Sequence, residues 1–148
     1  MPRLSARERN IRAATIKLIE AEIRNYHQTV QDMRELAEAI AMPGVVGEQL
    51  AVQAGGHSDT TAGRAHQMMS SVVLRETRRR VDAIDYMLRV LAASPDRGRM
   101  ELIRLLYWDC RYTMVGICDK LRISESTYRR WKREAIGLVA ERLGWDMR

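Results

Sequence analysis

The chain has 148 residues, of which 46% are hydrophobic and 30% charged, with three Pro, nine Gly and no Phe. The scarcity of Pro and Gly favours long helices over many-turned β structure, in one compact domain or a small domain with a helical arm. The formal net charge is +6, and residues 110–148 carry nine basic and five acidic side chains. We therefore expect an anionic partner to bind at the C-terminal end.

Targeting and metal-binding signals are weak. No apolar run approaches the roughly 18–20 residues of a membrane span, and residues 1–12 lack the apolar segment of a signal peptide. A cytoplasmic protein is expected, in which Cys110 and Cys118 form a buried reduced pair and not a disulfide. His27, His57 and His66 have no metal-ligand spacing, so neither a metal nor another cofactor is expected.

Residues 7–41 are predicted to form one long helix. Apolar side chains recur at alternating spacings of three and four residues, which is a heptad pattern, at Ile16, Ile19, Ile23, Tyr26, Val30, Met33, Ala37 and Ile40. Charged residues flank this seam. Such a narrow apolar stripe must pack on another helix, either from this chain or from a second copy.

Met42, Pro43 and Gly44 are predicted to end this helix, and residues 45–58 read as a loop. Gly55 and Gly56 lack the strand and the Lys of a phosphate-binding loop. Asp59 or Thr60 is expected to cap a second long helix over 61–92. It repeats the 3–4 seam at Leu74, Thr77, Val81, Ile84, Leu88 and Leu91, and its Arg run at 78–80 is either a solvated face or a phosphate-contacting patch.

The two seams predict oligomerisation. We favour a dimer of helical hairpins that together form a four-helix bundle, and the alternative is direct pairing of the first helix with its copy. The residues predicted at this interface are Ile16, Ile19, Ile23, Tyr26, Val30, Met33, Leu74, Val81, Ile84 and Leu88.

A third helix is predicted over 95–109, with Pro95 in its first turn behind a Ser94 cap. Its apolar residues surround the helix, which is typical of a central position in a small helical domain. They are Met100, Leu102, Ile103, Leu105, Leu106, Tyr107 and Trp108.

Residues 113–133 have the pattern of a helix-turn-helix. Thr113 caps a short helix over 114–121, residues 122–123 form the turn, and Ser124 caps the next helix. Arg122 stands where Gly is commonest. The expected contacts between the two helices involve Ile117, Cys118, Leu121, Ile123, Tyr128 and Trp131, and the second helix continues its core spacing through Ala135, Leu138 and Val139.

The second of these helices has an opposite, polar face, on which Ser126, Arg129, Arg130 and Arg133 share one side. Such a face suits a recognition helix in the DNA major groove, with helix N-termini presenting amides to phosphates. The predicted DNA contacts are Thr113, Ser124, Ser126, Thr127, Arg129, Arg130, Lys132 and Arg133, with Lys132 at a phosphate. Gly144 is expected to end the helix and Trp145 to pack on the core.

The chain resembles the RinA/ArpU family of phage transcriptional regulators. The similar segments are Leu-x-Tyr-Trp at 105–108, Ile-Ser-x-x-Thr-Tyr-x-x-Trp at 123–131, Glu-Arg-Leu-Gly at 141–144, IEAEIRNYHQT at 19–29 and GGHSDTTAGRA at 55–65. Sigma-factor region-four domains have a similar helix-turn-helix. The resemblance implies a DNA-binding regulator of phage genes, often an activator, with residues 124–133 as recognition helix and 113–121 as supporting helix.

The sequence thus predicts an all-α protein, with a helical hairpin or coiled-coil arm at 1–93 (loop 42–58) followed by a helix-turn-helix domain at 94–148. Its expected function is sequence-specific binding of double-stranded DNA as a homodimeric transcriptional activator of phage or prophage genes. It would act in the bacterial cytoplasm at the nucleoid, in contact with host RNA polymerase. Two alternatives stay open: a small terminase-like DNA-packaging subunit, and a helical interaction module that binds no DNA.

An enzyme is the least favoured class. The sequence has no recognisable nucleophile–base pair, carboxylate cluster or metal constellation, and Asp82 and Asp85 are interpreted as surface residues of a helix.

Overall fold

A computed structural model describes residues 6–41 and 59–145, and within them the chain is all helical, with no β-strand. The elements are α1 (Ala6–Arg24), α2 (Tyr26–Ala41), α3 (Asp59–Ala93), α4 (Gly98–Ile103), a π-helical segment (Arg104–Asp109), α5 (Met114–Leu121) and α6 (Glu125–Leu143). The predicted all-α class is confirmed. The predicted stop at 42–44 and the loop at 45–58, with its two glycines, lie outside the described residues.

Most predicted helix bounds agree with the structure, which departs from the prediction in three features. The first long helix is interrupted at Asn25, although the Asn25 amide still donates to the carbonyl of Ala21 at 3.0 Å. The third helix begins at Gly98 and not at Pro95, because the Ser94 hydroxyl accepts from the Asp96 amide at 3.3 Å and so closes a turn before the helix. From residue 104 this helix widens into π geometry, which the sequence did not predict.

The chain divides into two compact units, residues 1–26 with 82–148 and residues 27–81. This division differs from the predicted one at residue 93. Ile19 and Ile23 of α1, and Ile84 and Met87 of α3, are buried in the same apolar cluster as the C-terminal helices. The first unit, which we call the core unit, therefore uses part of the predicted arm as its own core.

The π-helical segment links α1 to the rest of the core unit. The Tyr107 hydroxyl donates to Glu20 Oε1 at 2.9 Å, and the Trp108 Nε1–H donates to the carbonyl of Ile23 at 2.9 Å. Trp108 also stacks on Tyr26, with ring centroids 6.0 Å apart. Two neighbouring aromatic residues of the wider π turn thus both contact α1.

The predicted apolar face of this third helix is confirmed. Leu102, Ile103, Leu105 and Tyr107 are buried, and Met100, Leu106 and Trp108 pack against the same core. Trp145 also packs there as predicted, after Gly144 ends α6.

Burial inside the core unit accounts for much of the predicted oligomerisation seam. Ile19, Ile23 and Ile84 are buried in this core, and Ile16, Tyr26 and Leu88 pack against it. The first two seam turns of α1 are therefore occupied within one chain, without a second copy.

In the second unit, residues 27–81, the seam is less enclosed. No residue of α2 is buried, and Val30, Met33 and, on α3, Leu74 are half-buried, whereas Val81 is buried. Apolar side chains of α3 are exposed, with Met68 71% and Met69 67% accessible. In the Arg run at 78–80, Arg78 and Arg79 are exposed, and Arg79 Nη1 lies 4.0 Å from Glu76 Oε2. This exposure is consistent with the solvated-face interpretation of the run.

Two individual expectations need correction. Both cysteines are free, as predicted, but Cys110 is exposed and Cys118 only half-buried, so they are not a buried pair. Asp85 is half-buried and accepts a hydrogen bond from the Tyr26 hydroxyl, so it is not a plain surface residue.

Among the helices described, none is both long and apolar enough to cross a membrane.

Candidate nucleic-acid interface

Helices α5 and α6 are joined by a tight turn. The carbonyl of Cys118 accepts from the amide of Ile123 at 3.0 Å, and the carbonyl of Asp119 accepts from the amide of Arg122 at 3.3 Å. This pair of bonds is a Schellman motif, and it places Arg122 in the left-handed region at φ 53° and ψ 46°. Arg122 thus occupies the conformation that favours Gly, in agreement with its position in the predicted turn.

Side-chain caps fix both helix starts. Thr113 Oγ1 accepts from the Gly116 amide at 3.2 Å, and Ser124 Oγ accepts from the Thr127 amide at 3.2 Å. Both predicted caps are confirmed. Each capped helix still has first-turn amides without an acceptor inside the helix, and these point outward from the helix start.

The buried side of α6 anchors it firmly in the core unit. Tyr128 and Trp131 are only 6% and 8% exposed, and Ile117 of α5 is fully buried. The Trp131 ring lies against Gly98, where an added Cβ would be 3.1 Å from the ring, and under the Arg99 guanidinium at 5.6 Å. The orientation of α6 is therefore set by close packing on α4.

The opposite side of α6 is exposed and basic. Ser126, Arg129, Arg130 and Arg133 are all exposed, as the predicted helical spacing requires. Arg129 forms an ion pair with Glu125, one turn earlier on the same helix. Arg130 and Arg133 make no ion pair with any residue that the structure describes, so their charges are available to an external anion.

Lys132 was predicted to contact a DNA phosphate, but its ammonium group lies beside Glu20 of α1. Its Nζ is 2.7 Å from Glu20 Oε1, and the two side chains are 33% and 20% exposed. The lysine charge is thereby compensated by α1, and the same carboxylate also accepts from Tyr107. We attribute a positioning role to Lys132 and do not include it among the free cations.

The three hydroxyl residues at the start of α6 differ in their availability. Ser126 is exposed, and its Oγ is 2.9 Å from Ser124 Oγ. Thr127 is half-buried, and its Oγ1 lies 3.0 Å from the same Ser124 oxygen. Ser124 thus caps the helix and is within hydrogen-bond distance of both other hydroxyls, and Ser126 is the exposed hydroxyl of the first helical turn.

Further basic residues outside the predicted DNA contacts are exposed in and next to the helix-turn-helix. Arg111, Lys120 and Arg122 are exposed, and the Lys120 ammonium lies 5.1 Å from the centroid of the Tyr112 ring. The charge excess of residues 110–148 was the signal that could have identified them. We call Arg129, Arg130 and Arg133 of α6 together the basic face.

The phenols of Tyr107 and Tyr128 and the thiol of Cys118 stay neutral at ordinary pH. Burial raises the pKa of the Tyr128 phenol and of the Cys118 thiol. Burial also raises the pKa of Tyr107, which the neighbouring Glu20 carboxylate raises further. Within residues 6–41 and 59–145 no three His, Cys, Asp or Glu side chains are grouped so as to hold a metal ion. The arrangement is suited to binding an anion over an exposed cationic helix.

Comparison of the chain with protein-family profiles, with curated proteins and with solved structures yields no match.

Proposed function

We propose that the chain is a sequence-specific double-stranded DNA-binding protein, with α6 as the recognition helix and α5 as its supporting helix. The observation that carries the proposal is the basic face on a capped helix whose other side is fixed in the core by Tyr128 and Trp131. A rigid helix with guanidinium groups along its outer side suits the major groove, where Arg donates to guanine or to phosphate. Two helix starts with outward amides supply further phosphate contacts.

The biological role we propose is that of a transcriptional activator of phage or prophage genes, of the RinA/ArpU type, acting at the nucleoid of the bacterial host. This part rests on the sequence resemblance, whose segment at 123–131 includes Tyr128 and Trp131, the buried aromatic residues that anchor α6. An activator of this kind would also contact host RNA polymerase.

We further propose that the protein binds DNA as a homodimer. The support is the incompletely buried seam of α2 together with the exposed Met68, Met69, Val72 and Val73 of α3. Two copies would double the DNA contacts and impose a two-fold or repeated site. Sedimentation velocity over a concentration series tests this: a monomer at all concentrations refutes the dimer, and a ring-sized particle favours a terminase-like assembly.

DNA binding itself is tested by its salt dependence. Fluorescence anisotropy of a labelled duplex, titrated with the full chain between about 50 and about 200 mM salt, should give a steep negative slope of log affinity against log salt. Replacing Arg130 or Arg133 by Ala should reduce the magnitude of the slope by roughly 0.9 for each phosphate that the variant no longer neutralises.

Arg142 provides the matched control for this experiment. It lies in the last turn of α6, is exposed, and stacks over Tyr86 at 5.4 Å. Arg142→Ala removes the same charge from the far end of the same helix, so its salt slope should equal that of the wild type. If Arg130→Ala, Arg133→Ala and Arg142→Ala all reduced the salt slope equally, the basic face would not be the DNA-binding surface. Absence of binding at low salt would refute DNA binding itself.

A further inference from the structure

Glu125 and Arg129 form an ion pair at the N-terminal end of α6, the proposed recognition helix. Arg129 Nη2 donates to Glu125 Oε1, and the Arg129 and Glu125 side chains remain 64% and 53% exposed. Glu125 is the first residue of the helix and Arg129 the fifth. The pair therefore lies where a recognition helix meets base edges, because its N-terminal residues enter the groove most deeply.

We infer that this pair reads a guanine, with Arg129 as the base-contacting residue and Glu125 as the residue that positions it. The inference rests on the proposed function. A free arginine has many rotamers, and ordering them on binding costs free energy. In this helix one guanidinium proton is already bound to the carboxylate, and four N–H donors remain. Two parallel donors are what guanine O6 and N7 accept in the major groove.

The carboxylate has a second effect, which acts against wrong sequences. An acidic side chain on a surface that faces DNA repels phosphate, so Glu125 lowers the affinity for any duplex on which Arg129 finds no guanine. Specificity is a difference between two affinities, and weakening the non-specific one increases that difference. Glu125 thus orients the Arg129 side chain and also weakens binding to duplexes that lack the guanine.

Arg133 is the natural contrast to Arg129. It is the ninth residue of α6, is exposed, and forms no ion pair with a described residue. Without a carboxylate to orient it, and one turn farther from the helix start, it suits a phosphate. Its contribution to affinity should therefore be the same for every DNA sequence.

The test is selection from a random duplex library with the full chain and with the Glu125→Gln, Arg129→Ala and Arg133→Ala variants, followed by titration of the selected duplex and its single-base changes. We expect the wild-type motif to contain a guanine whose replacement weakens binding about tenfold or more. Arg129→Ala should abolish that discrimination. Glu125→Gln should reduce it several-fold while tightening the binding of unrelated duplexes. Arg133→Ala should weaken binding to all duplexes by the same factor and leave the preference for guanine unchanged.

The outcomes separate the inference from the function on which it rests. A selected motif whose guanine preference survives both Glu125→Gln and Arg129→Ala overturns the inference and leaves DNA binding intact. The same holds if Arg133→Ala alters the preference as much as Arg129→Ala does. Failure of the wild-type chain to enrich or bind any duplex refutes the proposed function itself. Circular dichroism of each variant establishes that these exposed substitutions leave the helices folded.

Discussion

Lys132 of α6 donates to Glu20 of α1 across 2.7 Å, and the same carboxylate oxygen accepts from the buried Tyr107 hydroxyl at 2.9 Å. Removing the carboxylate would leave a hydroxyl without an acceptor in a residue that is 2% exposed. We therefore expect Glu20→Ala to lower the free energy of unfolding by about 1–3 kcal/mol. Urea denaturation measures this. In a Tyr107→Phe background the same change should cost clearly less, and an equal cost in both backgrounds would contradict the proposed linkage.

The same contact predicts that Lys132 does not bind DNA. Lys132→Ala removes a partly exposed ion pair, so it should lower the free energy of unfolding by about 1 kcal/mol or less. It should leave the salt slope of duplex binding unchanged, because the lysine charge is already compensated by Glu20. Arg133→Ala, one residue further on, should reduce the slope in the same anisotropy titration. If Lys132→Ala had a smaller salt slope than the wild type, Lys132 would be a phosphate contact after all.

Arg122 and Gly144 end α5 and α6 with the same motif but with different residues. Both have left-handed backbone, at φ 53° and φ 71°. A side chain in this region costs roughly 1–2 kcal/mol, against a smaller entropic cost for Gly. Arg122→Gly should therefore raise the free energy of unfolding by about 0.5–1 kcal/mol, and Gly144→Ala should lower it by about 1 kcal/mol. Thermal unfolding would contradict this account if the two changes had the same sign.

Local features of the fold could be predicted from the sequence, because each depends on neighbouring residues. The caps at Thr113 and Ser124, the end at Gly144 and the inward side of α6 all follow from short-range patterns. The exposed position of the basic face follows from the same periodicity.

Features that depend on distant residues could not be predicted in this way. A heptad indicates that Ile19 and Ile23 are covered, but it does not identify which helix covers them, and the structure buries them against the chain's own C-terminal helices. Lys132 has the same sequence character as its arginine neighbours, and only the approach of Glu20 distinguishes it. The π-helical segment likewise has its partners in α1, about 85 residues earlier in the chain.

Tyr26 predicts a specific response to alkaline pH. Burial and the Asp85 carboxylate raise the pKa of Tyr26 from its ordinary 10.0 to about 12. Because the folded state holds this proton more tightly, the stabilisation is fully present below pH 10 and is lost as pH rises from 10 to about 12. The free energy of unfolding of the wild type should therefore fall more steeply between pH 10 and about pH 12 than that of Tyr26→Phe. Parallel curves for the two proteins would contradict the raised pKa.

The contact between Gly98 and the Trp131 ring allows the dependence of the α6 orientation on packing to be tested. A Cβ at this position would lie 3.1 and 3.2 Å from two atoms of the buried Trp131 ring, whereas a Cβ at Gly137 would meet nothing within 4 Å. Gly98→Ala should therefore lower the free energy of unfolding by about 1–3 kcal/mol, because the ring must move. Gly137→Ala, in the interior of α6, should raise it by about 0.5–1 kcal/mol. Denaturant unfolding of both variants tests this pair.

The two glycine variants should also differ in DNA binding. We expect the displaced Trp131 ring to shift α6 slightly, so Gly98→Ala should weaken binding to a selected duplex more than binding to an unrelated one, since only base contacts need the exact helix position. Gly137→Ala leaves the packing of Trp131 unchanged and should preserve the ratio of the two affinities. If Gly98→Ala destabilised the fold yet kept that ratio, the position of α6 would not depend on this contact, and the rigid anchoring by Trp131 would have to be abandoned.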